Sequence, residues 1–163
     1  MDPVTVSITI GRPRELVFDY LADIANHAEF TDHYLTEWHL TREDPVGPGA
    51  GARFRVRAPL QRFSWLGITF VEVERPWRIV SAGRGGKYNR TRTLITYTLE
   101  PAPEETTRVE LTVETEPATL SDRLMETGAR SWVRRKNRRA LRRLRSILEE
   151  GRRRGARVTV AGG

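Results

Sequence analysis

The sequence predicts a single α+β domain: a curved antiparallel sheet of about six or seven strands, with one long helix across its open face. Three observations predict it. Residues 119–150 contain no proline and repeat apolar side chains at helical spacing. Val4, Val6, Ile8 and Ile10 alternate with Thr5, Ser7 and Thr9, a half-buried strand ahead of two short helical segments. Between these ends, alternating segments follow one another through short turns, which makes neighbours antiparallel.

The long helix organises the rest. It opens on Thr119-Leu120-Ser121-Asp122, a hydroxyl three residues ahead of an acid, which suits a helix N-terminus. Leu120, Leu124, Met125, Trp132, Val133, Ala140, Leu141, Leu144, Ile147 and Leu148 then form its apolar stripe. About 32 residues at ~1.5 Å each make a rod of roughly 48 Å. A domain of this length is only about 40 Å across. The helix must therefore lie over the whole body as a lid.

After the first strand, Gly11-Arg12-Pro13 marks a turn, and Pro13 is placed for a first helical turn. Leu16, Val17, Tyr20 and Leu21 pattern a helix over 14–23, and 24–30 a second short one, with His33 and Tyr34 in a loop. Strands are expected over 36–41, 52–57, 64–74, 77–82, 92–100 and 107–116. Segment 64–74 is apolar on both faces and reads as a covered central strand. Gly83-Arg84-Gly85-Gly86-Lys87 reads as a flexible loop, and 101–105 as a hairpin loop. The glycines of 44–51 do not make a phosphate cradle, because no lysine or hydroxyl follows as required and Pro48 lacks a donor. The domain is expected to span 1–150, with 151–163 a basic, flexible tail.

The 163 residues suffice for one domain with a sizeable core. The N-terminus has neither the basic start nor the apolar core of a signal peptide, and there are no cysteines, so a cytoplasmic location is expected. The net charge of +7 is unevenly placed. Residues 1–117 hold 14 basic and 17 acidic side chains, whereas 118–163 hold 14 basic and 4 acidic. Between Arg130 and Arg145 there are nine basic residues and no acid. Arg134, Arg135, Arg138, Arg139 and Arg142 could meet an anionic membrane or an acidic partner, with nucleic acid less favoured. The plainer reading is that arginine stems cover the sheet edge while the guanidinium groups sit in water.

Four stretches carry a family resemblance. They are the opening strand and helix start Ile8 to Asp23, containing Pro13-Arg14-Glu15-Leu16-Val17-Phe18, the turn Val46 to Phe54, the turn Val73-Glu74-Arg75-Pro76-Trp77-Arg78-Ile79, and the terminal amphipathic helix. Together they resemble the START-like superfamily, also called SRPBCC, and within it the polyketide cyclase/dehydrase and lipid-transport family. The resemblance implies a helix-grip fold with an apolar cavity between sheet and helix. It also implies a lipid, polyketide or other hydrophobic ligand there. These are fold-determining stretches, and they specify no reaction.

An enzyme needs a positioned acid, base, nucleophile or metal. No His-Glu-x-x-His pattern, Gly-x-Ser-x-Gly elbow or cysteine is present, so no metal site or covalent acyl chemistry is expected, and no cofactor is implied. His33, near the expected cavity mouth, is the candidate base, although a lone loop histidine is more often simply solvated. Asn137 shares the apolar face of Val133, Ala140 and Leu144, and a buried amide must find partners, one of which could be a ligand. Gly128 and Trp132 occupy the same stripe, and Trp65, Tyr88 and Tyr97 are further cavity candidates; packing alone would account for each. Three functions remain. The first is a hydrophobic-ligand carrier without obligatory chemistry. The second is a cyclase/dehydrase-like enzyme using the same cavity, and the third an interaction module using the arginine face.

Overall fold

The computed structural model describes residues 2–59, 64–116, 126–151 and 155–160. Strands β1 (Val4–Ile10), β2 (Leu35–Leu40), β3 (Gly51–Val56), β4 (Trp65–Glu74), β5 (Arg78–Gly85), β6 (Thr91–Ala102) and β7 (Thr106–Glu116) form one antiparallel sheet, ordered β1-β7-β6-β5-β4-β3-β2. Between β1 and β2 lie helix α1 (Arg14–Leu21), a tight turn at Ile24–Asn26 and helix α2 (His27–Thr31). The last helix, α3 (Glu126–Glu150), runs along β1 and against α2. This is the helix-grip arrangement. None of the described helices is long and apolar enough to cross a membrane.

Period-two patterning places the core. In β1, Val4, Val6 and Ile10 are buried, Val6 and Ile10 in one cluster with the residues of α3, while Thr5 stays outside and hydrogen-bonds Thr112 of β7 across the strands at 3.0 Å. From α3, Asn137, Ala140, Leu141, Leu144 and Ile147 are buried at i, i+3/i+4 spacing. The four apolar ones share a single cluster with Val17, Phe18 and Leu21 of α1 and the inner side of the sheet. The helix start expected at 119–125, with Leu120, Leu124 and Met125, lies outside the described residues.

The end of α3 is capped from the other end of the chain. Arg12 Nε donates to Leu148 O at 2.9 Å and its terminal nitrogen to Glu149 O at 2.8 Å, while Gly11 N donates to the Glu149 carboxylate at 2.6 Å. Carbonyls of a last helical turn have no intrahelical partner, so a cation there satisfies both hydrogen bonding and the helix dipole. Gly151, at φ +66, then turns the chain out and donates to Ile147 O at 2.9 Å. Arg12→Ala is expected to lower the unfolding free energy by about 2 kcal/mol in urea denaturation, since bonds to a charged donor are worth about 1.5–3 kcal/mol. Arg12→Lys should recover only part of that, because an ammonium lacks the fork that reaches two carbonyls.

Three expectations need correction. Strand β5 runs to Gly85, through residues expected to be loop, because the glycines serve close strand packing. A Cβ on Gly83 would lie 2.9 Å from the Ile68 side chain, and one on Gly85 would lie 2.5 Å from Trp65 O. Strand β4 is not covered on both faces: Trp65 and Val71 are exposed, since α3 covers only one side of the sheet. The described part of the tail, 155–160, is docked. Gly155 N donates to Glu29 O at 2.9 Å, Leu40 N to Thr159 O at 3.2 Å, and Arg157 pairs with Asp23 at 2.6 Å over a fully covered Val158.

Candidate ligand cavity

The inner cavity lies between the concave side of the sheet, α2 and α3. Its walls include Trp38, Phe54, Ile68 and Leu111, and its polar groups come from His27, Thr31, Tyr34, Ser81, Tyr97 and Asn137. Each has a structural reason to be there. His27 and Thr31 are one turn apart on α2, where Thr31 Oγ1 donates to His27 O at 2.6 Å. Ser81 and Tyr97 are inward positions of the neighbouring strands β5 and β6, where Ser81 pairs with Ile95 and Ile79 with Tyr97. Asn137 sits one turn before Ala140 and Leu141 on the buried stripe of α3.

The polar groups are unequally satisfied. Tyr34 OH donates to Asn137 Oδ1 at 3.0 Å, fixing the amide, yet Asn137 Nδ2 is buried without a partner. Ser81 Oγ is also buried and unpartnered. An unmade buried hydrogen bond costs about 1–3 kcal/mol, so both atoms call for a partner inside the cavity, a water or a polar group of a ligand. His27 Nε2 bonds Leu21 O at 2.7 Å, and its ring meets Phe30, Phe70 and Tyr97 at centroid distances of 5.5–5.7 Å. Burial drives the His27 pKa down to about 4, so at neutral pH the ring is uncharged. With Nε2–H given to Leu21 O, its Nδ1 is an acceptor. Burial pushes the Tyr34 and Tyr97 hydroxyls well above the ordinary phenol range, and Tyr97 rises further beside Tyr34. The cavity therefore presents neutral donors and acceptors. No three metal-ligating side chains converge among the described residues.

Of the candidates singled out in the sequence, Tyr97 and Asn137 reach this cavity. Trp132 packs edge-on against Tyr34 at 5.9 Å, one layer behind it. His33 is not a cavity base: Nε2 bonds Lys136 O at 3.2 Å and Nδ1 faces the Arg143 guanidinium at 3.4 Å, which engages both ring nitrogens. Its pKa falls to about 4, through burial first and then the charges of Arg139, Arg143 and Lys136. Trp65 lies on the outer face, because Leu66, Ile68 and Phe70 take the inward positions of β4, and its ring lies under Arg53. It borders an open depression of about 860 Å³ that holds Arg84 and Arg92 beside Glu114 and Glu116. Tyr88 is 76% exposed, held in a left-handed turn at φ 56 between Lys87 and Arg90. Gly128 is exposed, no described atom would come within 4 Å of a Cβ there, and it is not among the described residues around the cavity.

Comparison with known proteins fits this geometry. The family model for polyketide cyclase/dehydrase and lipid transport matches residues 1–149. The chain belongs to that family. Among solved structures, the Zhui aromatase/cyclase from Streptomyces sp. R1128 superposes with a TM-score of 0.70 at 16% identity, over 90% of this chain and 93% of that one. A protein from Thermus thermophilus gives 0.69 at 17% identity, over 92% and 99%. DynU16, from the dynemicin biosynthetic locus, gives 0.64 at 18% identity, over 95% of this chain and 50% of that one, so this family member spans half of it. At such identities the likeness is one of fold. No curated protein matches the sequence.

Missed by sequence reasoning were His27, Tyr34 and Ser81. Ser81 carried a signal, as a lone hydroxyl inside the apolar run Ile79-Val80-Ser81-Ala82. Tyr34 carried none, since its partner is 103 residues away.

Proposed function

We propose that this chain is a hydrophobic-ligand binding protein whose inner cavity recognises one carbonyl or hydroxyl group on an otherwise apolar molecule. The observation that carries this reading is the pair of orphaned polar atoms, Asn137 Nδ2 and Ser81 Oγ, facing one apolar-walled space. Nδ2 would donate to a ligand carbonyl, with Oδ1 held by Tyr34. The Ser81 hydroxyl could donate or accept. The cavity measures about 40 Å³, which is room for about two or three waters. Pockets for drug-sized ligands run about 300–1,000 Å³. Binding therefore requires α3 and the α2–β2 segment to separate, and this rearrangement is part of the proposal.

The second reading, a cyclase/dehydrase-like reaction, is favoured by neutral His27 on the same cavity, where its Nδ1 could take a proton. The structural likeness to an aromatase/cyclase agrees with it. The carrier reading stands first because, among the described residues, no charged group faces the cavity to stabilise an intermediate.

Asn137→Leu separates ligand recognition from folding. It removes the orphaned amide while nearly keeping volume, but it also takes away the acceptor of the Tyr34 hydroxyl. These two effects, about 1–3 kcal/mol each, oppose one another, so stability should change by less than about 1.5 kcal/mol. Affinity for 2-acetylnaphthalene, a neutral aromatic ketone, should fall at least tenfold, by about 1.4 kcal/mol. Titration calorimetry on both proteins reads the affinity. Unchanged affinity in both Asn137→Leu and Ser81→Ala would remove the proposed recognition.

A further inference from the structure

On α3, Arg134, Arg135, Arg138, Arg139, Arg142 and Arg145 are exposed. At 100° per residue they cover an arc of about 140°, running from beside the buried Leu141 to the side opposite Asn137, Ala140, Leu144 and Ile147, with a rise of about 16 Å from first to last. None of the six makes an ion pair with a described residue, whereas the flanking Arg130 and Arg143 pair with Asp2 and Asp32. Like charges at i, i+3 and i, i+4 disfavour a helix, and this arc contains several such pairs with no acid between them.

We infer that this arc is a docking surface for a flat anionic bilayer, recognised through lipid headgroup phosphates and carboxylates. Arginine forks suit such oxygens. The shape selects the partner. The buried residues Asn137, Ala140, Leu141, Leu144 and Ile147 span about 120° of the helix and seat it along β1 and α2, with Arg130 and Arg143 tied down at the edges of the exposed arc. To enter a duplex major groove, about 12 Å wide and 8.5 Å deep, nearly the whole helix would have to protrude. Against a plane, an exposed convex stripe can present all six guanidinium groups. No large apolar side chain is exposed on the arc, so attraction is electrostatic and needs no insertion. This goes beyond the cavity reading and does not rest on it.

The test is co-sedimentation with vesicles of 30 mol% phosphatidylserine in phosphatidylcholine at 0.05 M NaCl, alongside pure phosphatidylcholine vesicles. Binding is expected to the anionic vesicles only, and to vanish by 0.5 M NaCl. Each basic residue near an anionic surface is worth about 1 kcal/mol, or roughly fivefold. Arg135→Gln with Arg138→Gln and Arg142→Gln should thus lose about a hundredfold, with a melting temperature no lower than the wild type's because like-charge pairs are relieved. Asn137→Leu should bind vesicles like the wild type, whatever its cavity does. Three results would overturn the inference: no binding to anionic vesicles, binding untouched by the triple substitution, or a 20-base-pair duplex displacing the vesicles at equal charge.

Discussion

Truncating Phe54 to alanine is expected to lower the unfolding free energy by about 4 kcal/mol, within the usual range for a buried phenylalanine. Phe54 is 1% exposed on the inward side of β3, with its ring 4.4 Å from that of Trp38. It is also a wall of the inner cavity, so its removal enlarges a space that already exists. Strand β3 is paired on both sides, with β2 and β4, and cannot collapse far to fill it. Chemical denaturation should show the loss with little change in denaturant slope, and Phe54→Leu should cost well under half as much. An apolar cavity so enlarged should admit benzene, and saturating benzene should return part of the lost stability.

Acid is expected to destabilise the domain over a defined window. The folded pKa of His27 is about 4, against 6.5 unperturbed, so the native state holds this ring neutral. Its contribution is full above pH 6.5 and is lost as pH falls from there towards 4, where the unfolded chain binds the extra proton. For this fully buried ring the loss is on the order of 3 kcal/mol. His33 shifts in the same direction and steepens the same window. Urea denaturation between pH 7 and pH 4 checks this. His27→Gln keeps a side-chain donor for Leu21 O but cannot protonate, so its stability curve should be flatter there. An equally steep curve would place the sensitivity elsewhere.

The architecture was legible because its signals are local and periodic. Val4 to Ile10 shows one buried face, and the Ala140–Ile147 stripe shows one helical face; short turns between strands leave little choice of topology. Errors came where one residue type serves two physical purposes. Gly83 and Gly85 looked like loop glycines, yet they are strand positions where a neighbouring strand leaves no room for a Cβ. Trp65 looked like core, yet it stands on the unroofed face of the sheet. The candidate site was half legible. Asn137 and Tyr97 could be named because an amide on an apolar stripe and an aromatic in a strand are visible in sequence. Tyr34 and the Arg12 cap could not, because each acts on a partner more than 100 residues away. Likewise Val158, in a basic tail, is buried through contacts with Ala25 and β2 that no local pattern encodes.

Native mass spectrometry of the freshly purified chain tests the central claim most directly. The account predicts extra mass on the folded protein, released on denaturation as an apolar molecule carrying a carbonyl or hydroxyl, and much reduced in Asn137→Leu. A folded protein that carries no such mass and also takes up no 2-acetylnaphthalene would contradict it.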